Sequence, residues 1–473
     1  MSRIPLKEVP SNKPAKDAAV QTYDLYQKRE HIYTKAFTGI FRNLRMLTGW
    51  LLLVGFFGTS WLQWEGRQAV LFDLPNRQFH IFGTTFFPQD FMLLSWLLII
   101  LAFTLFFVTV FAGRLWCGYT CPQSVWTWIY MWVEKVTEGD RNQRMKLDKQ
   151  PMSAGKFRKK ALKHSLWLLI AAATAVAFVG YFSPIRELIP AIASLDLGPW
   201  EMWWLFFFTL ATYGNAGWLR EQVCIYMCPY ARFQSVMFDK DTLIISYDTA
   251  RGEPRGKRKK SADYQAEGLG ACIDCDSCVH VCPVGIDIRD GLQYECIGCA
   301  ACIDVCDDIM ERMGYEKGLI RYTTEEALEG GKTHILRPRL IGYGVVLLIM
   351  FGAFIWGISS RVPLQLDILR DRQQLYVEVQ DNKVENLYTL RIANKTQHPQ
   401  SYELSVSGAP GLTVIGGQHL QLQANEVLTH NLRLQMDKTQ LPAASFDVHF
   451  TLTTSDGSLS LTETNRFIGP SNR

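Results

Sequence analysis

No Gly-x-Gly-x-x-Gly fingerprint opens any helix-like stretch of this 473-residue chain, so no flavin or nicotinamide of its own is expected. Excess charge is also scarce: the formal net charge is only +4, and no nucleic acid is expected as a partner. No A-x-A-like cleavage site accompanies the first apolar segment, so a retained first span is expected rather than a removable signal peptide. Cysteine is missing from residues 361 to 473. Most telling, Lys, Arg and Asp are missing from the middle of five apolar runs, at about 44–63, 91–113, 165–182, 200–219 and 340–358. Each run has about the length of helix that crosses ~30 Å of hydrocarbon, and charge-free runs of this length are rare in the buried helices of soluble enzymes. The chain reads as a multi-domain integral membrane protein with five α-helical transmembrane spans.

Orientation follows from Lys and Arg, because positive loops stay in the cytoplasm. The leader, 1–43, and the start of the first span carry Lys28, Arg29, Lys35, Arg42 and Arg45, and the stretch from Arg141 to Lys163 holds nine more basic residues. By contrast, 64–90 has only Arg67 and Arg77, and 183–199 only Arg186. A bacterial inner-membrane protein is expected, with membrane domain 44–219, a cytoplasmic segment 220–339, a fifth span 340–358 and a periplasmic tail 361–473. Trp116, Trp126, Trp128 and Trp132 fall where an interfacial aromatic belt would sit, although packing explains any one of them equally well.

Within the cytoplasmic segment, C-x2-C-x2-C-x3-C occurs twice, at 272–282 and 296–306. Eight thiolates at this spacing suit two [4Fe-4S] cubanes, with the fourth Cys of each run serving the other cluster. A bacterial two-cluster ferredoxin-like domain is therefore expected at about 262–318. Cys272, Cys275, Cys278 and Cys306 are assigned to one cluster, and Cys282, Cys296, Cys299 and Cys302 to the other. Zinc knuckles use pairs rather than triplets of close cysteines, and disulfides are disfavoured in a reducing cytoplasm. The first run ends Cys282-Pro283, the second Cys306-Asp307, which leaves the second chain exit open. His280 reads as a solvated loop residue. The basic run 251–260 reads as a linker or a stretch resting on anionic headgroups.

Of the twelve cysteines, Cys117, Cys121, Cys224 and Cys228 are left over, in two C-x-x-x-C-P motifs where spans two and four return to the cytoplasm. Residues four apart share a helix face, and the prolines mark a break in the chain. Arg114 matches Arg220, and Gln123-Ser124-Val125 matches Gln234-Ser235-Val236, suggesting a duplicated two-span unit. Soft thiolates favour Cu(I), zinc or an iron-sulfur centre, and a site that prefers Cu(I) makes one-electron reduction of Cu(II) favourable. Buried small hydrophobes, or a zinc or iron-sulfur site made by all four, remain alternatives.

The tail alternates with period two: Leu375, Val377 and Val379 share a face, as do Tyr402, Leu404 and Val406, while Phe446, Val448, Phe450 and Leu452 point inward. Six to eight short strands read as a C-terminal all-β immunoglobulin-like sandwich whose role is docking to membrane partners. His449 is expected at the surface beside Asp447, and an external copper patch of His398, His419 and His430 is not favoured.

Spans, paired C-x-x-x-C-P motifs, ferredoxin segment and β tail, in this order over nearly the whole chain, resemble the CcoG family, also called FixG or RdxA, accessory proteins of cbb-type cytochrome c oxidase assembly. The resemblance implies cupric reductase activity supplying Cu(I) to the oxidase, with the four membrane-edge thiols as copper site and two [4Fe-4S] clusters as cofactors. It implies oxidase assembly factors or copper transporters and chaperones as partners, and an external electron donor, a soluble reductant or quinol. Related membrane ferredoxins of nitrate and nitrous oxide respiration share both motifs and imply an alternative, a quinol-linked conduit. A non-catalytic assembly scaffold is the third reading.

Overall fold

The computed structural model describes residues 31–264, 266–371, 374–380 and 382–470; Lys28 and Arg29 of the leader lie outside them, and the side chain of Ser235 is not described. Among the described residues, four helices are long and apolar enough to cross a membrane: Ile40–Thr59, Pro88–Ala112, Ala154–Val179 and Pro338–Ser359. Three bury almost none of their apolar surface against protein, which leaves lipid as the medium that covers it. Pro338–Ser359 runs antiparallel to Phe91–Ala112, with Gly344 against Phe107 and Gly357 against Leu93.

The expected span at 200–219 departs from a plain helix. An α-helix covers Pro199–Thr212, then Tyr213–Leu219 winds as a π-helix, with Arg220 N–H donating to Asn215 O at 2.8 Å. Gly214 and Gly217 weaken the α register here, and Gly217 lets the chain lie against Trp167, whose ring a Cβ would meet at 3.0 Å. A buried ionic core fixes the other side. Glu134, on the Pro122–Glu138 helix, holds Arg144 at 2.7 Å and Arg220 at 2.6 Å. Trp167 stacks on Tyr130, and each donates to the other's backbone carbonyl. Trp126 donates to Thr174 at 2.9 Å, so packing accounts for it.

The loop between the first two spanning helices forms a three-stranded antiparallel sheet, Val70–Asp73, Gln78–Ile81 and Thr84–Phe86, which the charge count of that loop did not suggest. It abuts the C-terminal domain: Asp90 pairs with Arg361 and Lys395, and Gln78 donates to Asn425 O at 2.9 Å.

That domain is a sandwich of nine strands. In one sheet Lys383–Asn394 lies between Leu364–Arg370 and Val427–Asp437; in the other Gln400–Ser407 pairs with Ser445–Thr454, which pairs with Ser460–Ile468. Tyr388, Tyr402, Leu404, Val448, Phe450 and Leu452 fill the space between, as alternation requires. Leu375 and Val377 are exposed, because Val377–Val379 only extends the edge of a sheet. His449 is exposed and hydrogen-bonds Thr464, and Asp447 pairs with Arg466 at the surface.

Candidate iron-sulfur and thiol site

The cluster-type cysteines sit in two loops over a two-stranded sheet, Ile244–Tyr247 with Ile320–Thr323. The loops share a conformation. Asp274 (φ 51) and Asp276 (φ 56) in the first correspond to Gly298 (φ 67) and Ala300 (φ 58) in the second. Left-handed residues at both places turn the chain tightly between successive cysteines, at a steric cost for Asp and Ala that the surroundings must hold. Arg289, almost fully buried, is the holder in the first loop: it donates to Asp274 at 2.9 Å, to Asp276 at 2.7 Å and to Asp287 at 2.6 Å. The hydrogen bonds it donates to Asp287 and Asp276 keep its guanidinium protonated, and its charge opposes the upward push that burial gives the Cys278 thiol, to about 12.

The topology brings Cys272, Cys275, Cys278 and Cys306 around one cavity and Cys282, Cys296, Cys299 and Cys302 around another, with Cys278 bordering both. The remaining lining is largely apolar: Ile245, Val284, Ile286, Ile288 and Ile297 at the second, Ile309, Met310, Leu319 and Ile320 at the first. Four sulfur donors about a dry cavity fit a cubane, whose sulfides want backbone N–H groups and a low dielectric rather than competing carboxylates. Cys275 alone of the eight is exposed. The missing proline after Cys306 has a plain effect. Cys282-Pro283 follows directly on the Ser277–His280 turn, whereas the Ala301–Met313 helix runs on through Cys306, and Asp307 accepts the Gly318 N–H at 2.9 Å.

This domain is tied to the membrane helices. Asp304 is the cap of the first spanning helix from outside it, accepting the Phe41 N–H at 3.1 Å and the Arg42 N–H at 2.7 Å. His280 is half-buried, its carbonyl accepting the Lys35 N–H at 2.8 Å, so this residue belongs to the junction and not to solvent. Of the basic run, Arg258 is built in, lying between Tyr264 and Tyr315 and donating to the Cys272 carbonyl at 3.2 Å, while Arg255, Lys257, Lys259 and Lys260 are exposed.

The paired thiols are not on continuous helices. Cys117 belongs to the short helix Leu115–Tyr119, while Cys121 is extended (ψ 126) and caps Pro122–Glu138. Cys224 belongs to the π turn Val223–Met227, while Cys228 caps Pro229–Met237. Each proline starts a new helix at its first position, so the second thiol leaves the face of the first. The duplication is real in backbone shape. Gly113 (φ 54, ψ −119) and Arg220 (φ 43, ψ −112) each stand four residues before the first cysteine of their motif, so Gly113 rather than Arg114 is the counterpart of Arg220. Gln123 and Gln234 occupy different turns of their helices, yet each reaches the other half: Gln123 donates to Asn215 O and Arg220 O, Gln234 to Gly113 O.

The thiols meet the second cysteine loop directly. A Cβ on Gly118 would stand 2.6 Å from Gly298 O and 3.0 Å from Cys299 Cα, so only glycine permits this approach. Cys117 packs against the cluster of Val281, Ile297, Cys299, Ala301 and Val305. Tyr322 donates to Gly298 O at 2.8 Å and is hydrogen-bonded to Tyr119. From the other half, Cys224 shares a cavity with Pro283, Val284 and Ile297. Burial pushes the Cys117 thiol up to about 12 and Cys224 up to about 11, with further upward pushes from neighbouring thiols and Arg114 opposing. Sequence reasoning missed this contact; the only trace of it was a glycine next to a cysteine in each partner.

Residues 219–325 match a family of 4Fe-4S dicluster domains, and 354–470 match the IG-like fold at the C-terminus of FixG. Apolar helices, a dicluster domain and a sandwich define a membrane-associated iron-sulfur protein of electron transfer. The chain belongs to the FixG family. It is 38% identical over 433 residues to nitrogen fixation protein FixG of Rhizobium meliloti, covering 83% of this chain and 82% of that one. To RdxB of Cereibacter sphaeroides it is 38% identical, covering 87% and 90%, and to RdxA of the same organism 37% identical, covering 88% and 91%. A crystal structure of a FixG-related protein from Vibrio parahaemolyticus aligns with 23% of this chain and 97% of that one, at 33% identity and a TM-score of 0.22.

Proposed function

We propose that this protein takes electrons from an external donor into two [4Fe-4S] clusters on the cytoplasmic side of a bacterial inner membrane. They pass to Cu(II), and the Cu(I) formed supports assembly of the copper centre of a cbb-type oxidase. In this reading five segments span the bilayer, the fourth being Pro199–Leu219 with its π turn, and the sandwich is periplasmic. Cys272, Cys275, Cys278 and Cys306 hold one cluster, and Cys282, Cys296, Cys299 and Cys302 the other. The clusters supply one-electron storage.

The observation that carries the reading is the Gly118–Gly298 contact, which lays the Cys117 motif on the second cluster's loop. Cu(II) plus one electron gives Cu(I), and soft sulfur retains the product better than the substrate. Cys117 lies near enough to Cys121, Cys224 and Cys228 to feel their charges, so a copper ion is offered sulfur from both motifs. A quinol conduit has less support. A large apolar cavity near Trp200, Trp204 and Phe208 is about 20 residues before Cys224, roughly 30 Å of helix away.

The test is anaerobic mixing of chemically reduced, full-length protein with Cu(II) and a Cu(I)-specific chelator. One Cu(I) is expected for each cluster electron lost from the iron-sulfur spectrum. Clusters that stay reduced under Cu(II) but oxidise with quinone would establish the conduit instead.

Two further outcomes follow. Arg289→Gln should release the strained Cys272–Cys278 loop and cut iron from about eight to about four atoms per chain, since one cluster is lost and the other kept; iron analysis beside EPR decides it. Buried thiols with raised pKa values surrender a proton for each sulfur that binds metal, so Cu(I) affinity should rise with pH, roughly a hundredfold from pH 6 to 7 for a two-thiol site. Chelator competition at both pH values measures this, and a flat profile would exclude two-thiol capture.

A further inference from the structure

Cations that the ferredoxin junction leaves unused gather in one cavity of about 90 Å³. It lies where the Thr34–Phe37 stretch, the first spanning helix, the Pro122–Glu138 helix and the loop at Val281 and Pro283 meet, so it borders both neighbours of Cys282. Lys35, Arg42, Arg45, Lys135 and Arg144 line it, against the single carboxylate of Asp140. That carboxylate is engaged, accepting the Ala36 N–H at 3.0 Å. Among the described residues no ion pair engages Lys35, Arg42, Arg45 or Lys135. Arg144, 3% exposed, spends its Nη atoms on Glu134 and Thr34, and its Nε is buried without an acceptor; the Nε of Arg45 is buried in the same way.

Buried donors without acceptors are costly, and native proteins rarely leave them so. An anion with several oxygens would satisfy them, and a phosphoryl group matches both the charge and the forked geometry of guanidinium donors. The wall next to the cations is Trp128 and Trp132, and the exposed apolar surface continues from Trp132 to Val136. This is the amphipathic arrangement found at headgroup level.

We propose that this cavity binds a phosphoryl group, which fastens the Cys282 loop to the membrane helices. The group comes from an anionic phospholipid or from free phosphate, and the experiment separates the two. Full-length protein is placed in nanodiscs of phosphatidylcholine, with or without phosphatidylglycerol, and amide hydrogen exchange is followed over residues 34–45 and 279–285. Phosphatidylglycerol is expected to slow exchange there about tenfold, and the double variant Arg42→Gln/Arg45→Gln to lose that slowing while keeping wild-type cluster EPR. Lys135→Gln, at the exposed rim, should lose part of it. Slowing by millimolar inorganic phosphate in pure phosphatidylcholine would assign the site to the free anion. If neither addition slows exchange, or the double variant responds as the wild type does, the site is overturned.

Discussion

Cys117→Ala is expected to abolish Cu(II) reduction while both clusters keep their EPR signals. Of the four membrane-edge thiols, Cys117 is the one packed against the apolar cluster that contains Cys299, and its neighbour Gly118 touches the backbone of Gly298. An electron leaving that loop toward the bilayer therefore meets the Cys117 motif first, and removing its sulfur removes both a ligand and a bridge. The variant should fold, because alanine fills most of the space of a half-buried cysteine and breaks only a long contact to Gln234. Gly118→Val tests the contact apart from the thiol. Its side chain must displace Gly298 O, so the loop and the helix separate, and electron delivery should drop with all four thiols present. Stopped-flow reoxidation of reduced protein by Cu(II) measures both. Wild-type rates in Cys117→Ala and in Cys228→Ala would remove these thiols from the mechanism.

Glu134→Ala is expected to cost about 3–5 kcal/mol, because it strands two buried guanidinium groups that share one carboxylate. Arg144 and Arg220 contact opposite oxygens of Glu134, and all three side chains are almost wholly enclosed. Arg220 also holds a left-handed backbone (φ 43), which its Nε stabilises by donating to Gly217 O at 2.9 Å. Freed from Glu134, this corner can relax into ordinary helix, and the π turn before Cys224 relaxes with it. A lower thermal midpoint in detergent is the primary readout. A variant as stable as wild type would mean that the three charges are hydrated and that the corner is held by packing on Trp167. Glu134→Gln, which keeps one acceptor oxygen but turns an N–H donor toward the other guanidinium, should fall between the two.

Much of the architecture was legible because the signals are local. Apolar runs announce lipid, period-two alternation announces the sandwich, and the cysteine triplets carry their ligand chemistry in their spacing. Legibility failed where a residue's meaning depends on a distant partner. Asp304 looks like any acidic residue on a helix, yet it caps a helix that begins 264 residues earlier, at Ile40. His280 and Arg258 looked solvated because their partners, Lys35 and Tyr315, lie far away in sequence. The helix-face reading of C-x-x-x-C-P failed for a different reason: the proline begins a new helix, so the two thiols of each pair lie on either side of a break rather than along one helix.

The order of amino acids alone determined which atoms are available, eight sulfurs at ferredoxin spacing and four more in matched pairs, together with the surfaces that water rejects. Periodicity and spacing are properties of a chain and survive without a fold. Tertiary structure decided which sulfurs face one another, that two glycines bring the membrane thiols onto the second cysteine loop, and that five cations close around one cavity. Those facts depend on how close two backbones come, and closeness across a hundred or more residues is set by packing, which no short stretch of sequence encodes.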